Sequence, residues 1–541
     1  MRETDPRSIA GKAPTPERHV PLVVVGAGVA GVAAAIAAAS AGVEVMLVDE
    51  HPVDNDMMAM DVPLCFGQRM HGAVRNRAAM LERVVETNPG LASAYEAGVD
   101  VQLGTYVCGA FVNGPSVQAL PVPMLGLADD RRSWLVGYDR LIVAAGARDV
   151  LLGFPGWERA GTLGAAGAAA LLTRYRALAA RRLVVVGSGA LGLHTATLAL
   201  EHGVEVAGVV EVEARVRGDA GVAKALAAQG VPIFTSHTIC EGRGRTGEIE
   251  SLVLVAVDGA GAPVRGSERE LACDAVCLAI GLAPSVELLH LVGARLRFAG
   301  ALGGWVPELD ASMRTSVSSV FAAGDCAGFH DGMLADQNIA REQGSMAGLA
   351  AAASLGAPRG RGPALAQTPP AAAAAHAYWQ AWLASLIAAG GWEVNVCQCE
   401  EVTRRELVET RPPRYLKWDS PQMSARSVTT LVGDGPVNQD QIKRLTRAGM
   451  GPCQSRRCRE QVGLLLAQAA GTTIDRIPLP TFRPPIRPLP LSVLWPADEP
   501  AAVREEWVSW FGIPTQFSPH WEAGMAIDEP TAHGRLIVSD E

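Results

Sequence analysis

The chain has 541 residues, 10 cysteines and a formal net charge of −9. That length exceeds what one hydrophobic core serves, so several domains are expected. Only four lysines accompany 43 scattered arginines, which leaves no basic patch for nucleic acid or an anionic lipid surface.

Residues 1–19 carry no periodicity and read as a tail. The first twenty residues lack an apolar core, so no signal peptide is expected, and no apolar run is long enough for a membrane span. Thiols or metal ligands are then expected before disulfides. The chain reads as a cytoplasmic protein, not an integral membrane one, with peripheral placement at the inner membrane left open.

The first strong pattern runs from Leu22 to Glu50. A β-branched strand leads into Gly26-Ala27-Gly28-Val29-Ala30-Gly31, an alanine-rich helix follows, and Val43–Val48 returns as a strand closing on Asp49 and Glu50. Gly26 permits the tight turn, Gly28 bares backbone to a pyrophosphate, and Gly31 lets helix and strand pack closely. Asp49, or Glu50 beside it, can accept a ribose hydroxyl. Strand, turn, helix, strand and acid in order make this a dinucleotide site.

A methionine-rich insertion, 54–64, reads as a surface loop. It precedes Gly67-Gln68-Arg69, a second glycine-containing turn. Leu141–Val143 is a second buried strand, ending in Ala144-Ala145-Gly146, whose small side chains permit close passage of a cofactor.

The first motif then recurs. Leu183–Val186 enters Gly187-Ser188-Gly189-Ala190-Leu191-Gly192, and the next strand ends on Glu211. Glu211 lies 24 positions after Gly187, and Asp49 lies 23 after Gly26, so the dinucleotide fold is duplicated. An acid at Glu211 favours NAD over NADP. Whether NAD or another adenine nucleotide fills this second site is open at this point; weak binding or none, and no hydride delivery, is expected. Cys273 and Cys277 sit in an apolar run and read as packing residues. Val320–Ala323 then ends on Gly324-Asp325, which completes the first domain only after the second has been inserted.

Residues 21–350 resemble the two-dinucleotide-domain flavoproteins of thioredoxin reductase and its relatives, through Gly26, Gly28, Gly31, Asp49, Gly146, Gly324 and Asp325. The resemblance implies FAD, contacted also by Val29, Ala30, Glu50, Gln68, Arg69 and Ala145. The disulfide reductases of that family carry a redox-active CxxC or CxxxxC pair, and no such pair precedes Cys453; Cys65, Cys108, Cys240 and Cys326 are isolated, so disulfide reduction is not expected. His71, Arg69 and Arg148 lie near flavin motifs without forming an acid–base constellation, so catalytic residues stay unassigned.

Alanine, glycine and proline from 350 to 375 mark a linker, followed by a helix around Tyr378–Ala389. Cys397-Gln398-Cys399 and Cys453-Gln454-Ser455-Arg456-Arg457-Cys458 then supply four thiols. Without CxxC knuckles or a nearby histidine, they suit a [2Fe–2S] centre better than zinc. A helix beginning near Cys458, with Arg456 and Arg457, would face an anionic cluster favourably. The Gly449-Met450-Gly451-Pro452-Cys453-Gln454 run resembles the BFD-like ferredoxin domain, with Ser455 where glycine is usual. Six prolines between Pro478 and Pro490 predict an extended segment held against the body. Trp507 and Trp510 in the tail suggest a partner-facing aromatic patch.

The fold class is thus α/β: two Rossmann-like dinucleotide-binding domains, the second inserted in the first, then a small BFD-like ferredoxin domain. The expected boundaries are 1–19, 20–150, 151–285, 286–350, 351–390, 391–477 and 478–541. This order resembles the α (A) subunit family of the opine oxidases, hydrogen cyanide synthase and multimeric proline or hydroxyproline dehydrogenases. The resemblance implies an FAD- and [2Fe–2S]-containing electron-transfer subunit, paired with a second (β) flavoprotein subunit that oxidises a secondary amine or amino acid. It leaves room for FMN at a subunit interface, for a small third subunit, and for a quinone or carrier-protein acceptor. An NAD(P)H-dependent reductase serving a ferredoxin-like or oxygenase partner is the alternative enzyme, and an assembly scaffold the non-enzymatic one.

Overall fold

The computed structural model describes residues 15–52, 76–114, 120–245, 247–358, 375–416, 420–489 and 491–494. The chain divides into two units: residues 1–129 with 134–488, and residues 130–133 with 489–541. In the second, the Ser133 hydroxyl donates to the Val493 carbonyl at 2.7 Å beside the short helix Leu491–Leu494. The sheets and the cysteine segment belong to the first unit. Gln68, Arg69, His71, the methionine-rich insertion, Cys65 and the tryptophans of the tail lie outside the described residues.

The first sheet is built on β1 (Arg18–Val25), β2 (Val45–Asp49), β3 (Asp100–Leu103), β4 (Tyr106–Phe111), β5 (Met124–Ala128) and β6 (Ser133–Val143), in the order β3-β2-β1-β6-β5-β4. The strand Val320–Ala322 joins it parallel to β6, so the sheet is completed only after the second fold has been made. β1 runs parallel to both β2 and β6, and Leu22–Val24 are fully buried. A strand covered on both faces needs such an unbroken apolar run, which is why it does not alternate.

Helix Val29–Ser40 covers this sheet and is crossed closely by helix Asn338–Ser354. A Cβ on Gly344 would lie 2.0 Å from the Ala30 carbonyl oxygen, and one on Gly348 would lie 2.2 Å from that of Ala34. Glycines four apart on one helix and alanines four apart on the other share faces, so backbone meets backbone.

β7 (Ala147–Asp149) leads out of the first sheet. The second sheet holds β8 (Thr162–Gly164), β9 (Arg182–Val186), β10 (Glu205–Val210) and β11 (Ile233–Phe234). After the antiparallel β12 (His237–Arg243), β13 (Ser251–Ala256) and β14 (Arg269–Ala272), β15 (Ala275–Leu278) completes it. Its order is β11-β10-β9-β15-β8, all parallel, and β16 (Leu282–Pro284) pairs back on β7. Cys273 and Cys277 are buried there, as the apolar run implied.

The stretch expected to be linker and helix, 351–390, ends in the helix Ala375–Ala388, whose Trp379 and Trp382 are essentially inaccessible. They belong to one apolar core that continues from Val184 and Ile239 through the helix to Leu407, Ile442 and Leu464 around the cysteines. The cysteine segment comprises the paired strands Asn395–Cys397 and Val402–Thr403, short helices, the helix Gln439–Thr446 and the helix Arg459–Ala469. The proline-rich segment does lie extended on the body: the Ile486 amide donates to the Cys108 carbonyl on β4 at 2.7 Å.

Candidate functional site

β1, β6 and the strand Val320–Ala322 end level, with Val25 opposite Val143 and Val143 opposite Ala322. The Ala144 amide donates to the Val25 carbonyl at 2.7 Å and the Ala323 amide to the Val143 carbonyl at 3.0 Å. Three small-residue turns, at Gly26–Gly31, Ala145-Gly146 and Gly324-Asp325, therefore open on one edge. Open parallel sheets bind ligands beyond the carboxyl ends of their strands, where this edge lies.

The glycines divide by what surrounds them. Gly26 has φ +103°, and a Cβ there would meet the Ala144 carbonyl oxygen at 2.2 Å. At Gly31 the Gly26 carbonyl oxygen would be 1.7 Å away. Gly28 and Gly146 have no protein atom within 4 Å of that position, and Gly28 is the N-cap of helix Val29–Ser40. Space is thus kept in front of a helix's unbonded amides, the cradle a pyrophosphate needs. Val29 is half-buried and Ala30 packs beneath Gly324. Asp325 follows, and burial raises its carboxyl above the ordinary value.

The acids at the end of β2 are already engaged. Asp49 accepts from the Ala27 amide at 2.6 Å and the His51 amide at 2.8 Å, and the His51 Nδ1 lies 2.7 Å from it. Against the upward push of burial, the His51 ring and these amides hold its carboxyl well below the usual range. Glu50 pairs with Arg487 at 2.8 Å. Two supporting residues escaped the motifs: the Asn88 side chain donates to the Ala27 carbonyl at 2.7 Å, and the Gln343 side chain accepts from the Gly324 amide at 2.9 Å. Both are polar residues with nothing in their spacing to distinguish them.

The second fold repeats the first bond by bond. Gly187 has φ +106°, Gly189 is an N-cap with open space, and a Cβ on Gly192 would meet the Gly187 carbonyl oxygen at 1.9 Å. Glu211 accepts from the Ser188 amide at 2.9 Å and the Glu213 amide at 2.9 Å, as Asp49 does from Ala27 and His51. It differs in being wholly inaccessible, and in accepting from the Tyr378 hydroxyl at 2.8 Å. Burial and the Glu211 charge push the Tyr378 phenol well above its ordinary value, so it stays a donor.

The four C-terminal thiols meet in two pairs, Cys397 with Cys458 and Cys399 with Cys453. The Gly449 amide donates to the Cys397 sulfur at 3.3 Å. The Cys399 hydrogen bond, then the Arg457 guanidinium and amide and the Arg456 guanidinium, hold the Cys453 thiol down at about 6 against burial. Among the described residues no three or more His, Cys, Asp or Glu side chains gather as a metal-ion site, although Cys458 feels the charge of all three other thiols. Cys458 caps the helix Arg459–Ala469, as expected. Gln454 and Ser455 both adopt left-handed backbone, φ +51° and +66°. The Ser455 hydroxyl donates to the Gly449 carbonyl at 2.9 Å, a bond that helps serine hold a conformation in which glycine would be at ease. None of the described cysteines is disulfide-bonded, and burial pushes Cys326 up to about 12.

A buried ion triad joins the two regions. Arg148, two residues beyond Gly146, and Arg459, directly after Cys458, both bond the Glu287 carboxylate. Arg459 also donates to the Pro284 carbonyl at 2.8 Å. No motif marks Glu287, which is one of 56 acidic residues.

The pyridine nucleotide-disulphide oxidoreductase family matches residues 20–354, more than half of the chain. The chain belongs to that family. It is an FAD-dependent oxidoreductase, and the Sarcosine oxidase A3 domain family matches residues 421–498. The A-type subunit of opine oxidase from Rhizobium meliloti (strain 1021) is 27% identical over 513 residues, which cover 88% of this chain and 99% of that protein. Hydrogen cyanide synthase subunit HcnB of Pseudomonas protegens is 24% identical over 511 residues, covering 88% and 98%. L-proline dehydrogenase from P. horikoshii has the same fold, with a TM-score of 0.58 at 18% identity over 90% of this chain and 81% of that one. The chain is an opine oxidase-like flavoprotein oxidoreductase, as its motif order implied, and the comparisons add a likeness to sarcosine oxidase α. Among the described residues no helix is long and apolar enough to cross a membrane.

Proposed function

We propose that this chain is the FAD- and [2Fe–2S]-carrying electron-transfer subunit of a heteromeric, cytoplasmic dehydrogenase or oxidase. Its partner, a second flavoprotein subunit, oxidises a secondary amine or amino acid of opine, proline or hydroxyproline type. The observation that carries this reading is the joining of an open glycine edge to four paired thiols through Arg148, Glu287 and Arg459. Relatives along nearly the whole chain bear subunit names, which favours a partner.

The residues present fit both groups. Gly26, Gly28, Val29, Ala30, Gly31, Ala145, Gly146, Gly324 and Asp325 would hold FAD, with Asp49 shaping the turn and Gln68 and Arg69 assigned from the sequence. Cys397, Cys399, Cys453 and Cys458 would hold the cluster through their thiolates. When bound, a flavin takes up electrons in pairs and releases them singly to an iron–sulfur centre. The chain's own part is to position: the Gly449 amide and the Arg456 and Arg457 guanidiniums favour charged sulfur, and the apolar core excludes water from it.

Anaerobic mixing of the complex, obtained by coexpression with the neighbouring gene product, tests the reading. Secondary amines or amino acids should bleach the flavin of the complex, and NADH should not. Rapid bleaching of the isolated chain by NADH would favour the alternative reductase instead.

A further inference from the structure

The helix Ala375–Ala388 crosses the place where the second fold would take a nucleotide. Glu211 directly follows β10 and Ile280 lies two residues past β15, the strands that flank β9 and its glycine turn. Consecutive residues of the helix engage both: the Tyr378 hydroxyl donates to Glu211 at 2.8 Å, and the Trp379 indole N–H donates to the Ile280 carbonyl at 3.1 Å. A ligand of an open parallel sheet lies across these carboxyl ends, so helix and nucleotide compete for one cleft. Further along, the Ser385 and Thr238 hydroxyls are 2.8 Å apart.

We propose that this helix is a built-in plug of the second dinucleotide fold, with the Tyr378 phenol standing where a ribose hydroxyl would bond Glu211. The acid at β2 offers the control. Asp49 makes the same two amide bonds, yet among the described residues no tyrosine hydroxyl bonds it. At Glu211 the tyrosine is fixed from its other side by the Arg217 guanidinium, 4.2 Å from the ring centroid, and Arg217 is itself held by Glu213 at 2.8 Å. The Ser188 hydroxyl donates to the same Glu211 oxygen as Tyr378, at 2.6 Å, so the oxygen a ribose would reach is already bonded by amide, serine and tyrosine. The cradle behind it survives, since Gly189 still has open space. The fold thus retains its affinity for an adenine nucleotide but spends it on displacing the plug, so apparent affinity falls by the fraction of molecules in which the helix is out.

Isothermal titration of the FAD-replete full chain with ADP and with NADH reads this directly. The wild type should take up neither below millimolar concentration, and Tyr378→Ala should bind ADP at least tenfold tighter. Arg217→Ala, at a part-exposed position, removes the stack that clamps the ring and should shift ADP affinity the same way; it decides the matter if Tyr378→Ala does not fold. Micromolar binding of either nucleotide by the wild type overturns the proposal. So does equal affinity in the wild type and the folded variant.

Discussion

Arg459, the residue directly after the fourth thiol, donates to the carboxylate of Glu287, 172 positions earlier in the chain. Arg148 bonds both oxygens of Glu287 and shares Oε1 with Arg459, and the three side chains are largely withdrawn from water. Against the upward push of burial, the Arg148 and Arg459 charges hold the Glu287 carboxyl at about 2, below its ordinary 4.5. A folded-state value below the unfolded one adds stability that is complete above 4.5 and is lost as pH falls through about 2. The amount is on the order of 3 kcal/mol. Asp149 works the opposite way: burial raises it from 3.8 to about 6, so its contribution is present below 3.8 and lost as pH rises through 6.

Removing Glu287 takes the buried carboxylate from Arg148 and leaves Arg459 with the Glu460 carboxylate alone. Glu287→Gln should therefore lower stability by roughly 3–5 kcal/mol near neutral pH and flatten the acid limb between 4.5 and 2. Chemical denaturation of both proteins across that range checks this. An unchanged acid limb would show that Glu287 does not carry it.

Gly28→Val and Gly344→Ala should part company, although Gly28 lies in the first dinucleotide turn and Gly344 packs against its Ala30 from the crossing helix. At Gly28 no protein atom lies within 4 Å of the added carbon, so the variant should fold and lose FAD. At Gly344 the Ala30 carbonyl oxygen is 2.0 Å away, so backbone must move, at a cost of roughly 1–3 kcal/mol. Melting curves and flavin absorbance separate the two, and full flavin content in Gly28→Val would place the cofactor elsewhere.

Ser455 holds left-handed backbone that glycine would adopt without strain. Ser455→Ala keeps the strain and loses the bond to the Gly449 carbonyl, so it should destabilise by about 1 kcal/mol. Ser455→Gly loses the bond and the strain together and should stay within about 0.5 kcal/mol of the wild type. Equal losses in both variants would mean that the backbone there is not strained.

Replacing Cys397, Cys399, Cys453 or Cys458 by Ser should abolish visible iron–sulfur absorption and lower the iron content while FAD remains. The thiols share a core with the second fold, so a modest drop in melting temperature is expected too. A reduced-state EPR signal that persists in Cys453→Ser and Cys458→Ser would reject the ligand assignment.

The elements and their chemistry were legible in the chain before it folds. Residues 22–50 and 183–211 announce strand, glycine turn, helix and acid, because each requirement there is local: a φ that only glycine holds freely, and a fixed helix length before the return strand. The cysteine spacing and the start of the helix Arg459–Ala469 at Cys458 were readable for the same reason. What those residues meet depends on the fold. Asp49 and Glu211 are alike in sequence, yet Glu211 is closed off, because Tyr378 arrives from 167 positions away. Arg148, Glu287 and Arg459 look like scattered surface charges until three regions of chain bury them together. Apolar periodicity sets which face of an element turns inward, but it does not say which other element covers that face, nor which charges become trapped between them.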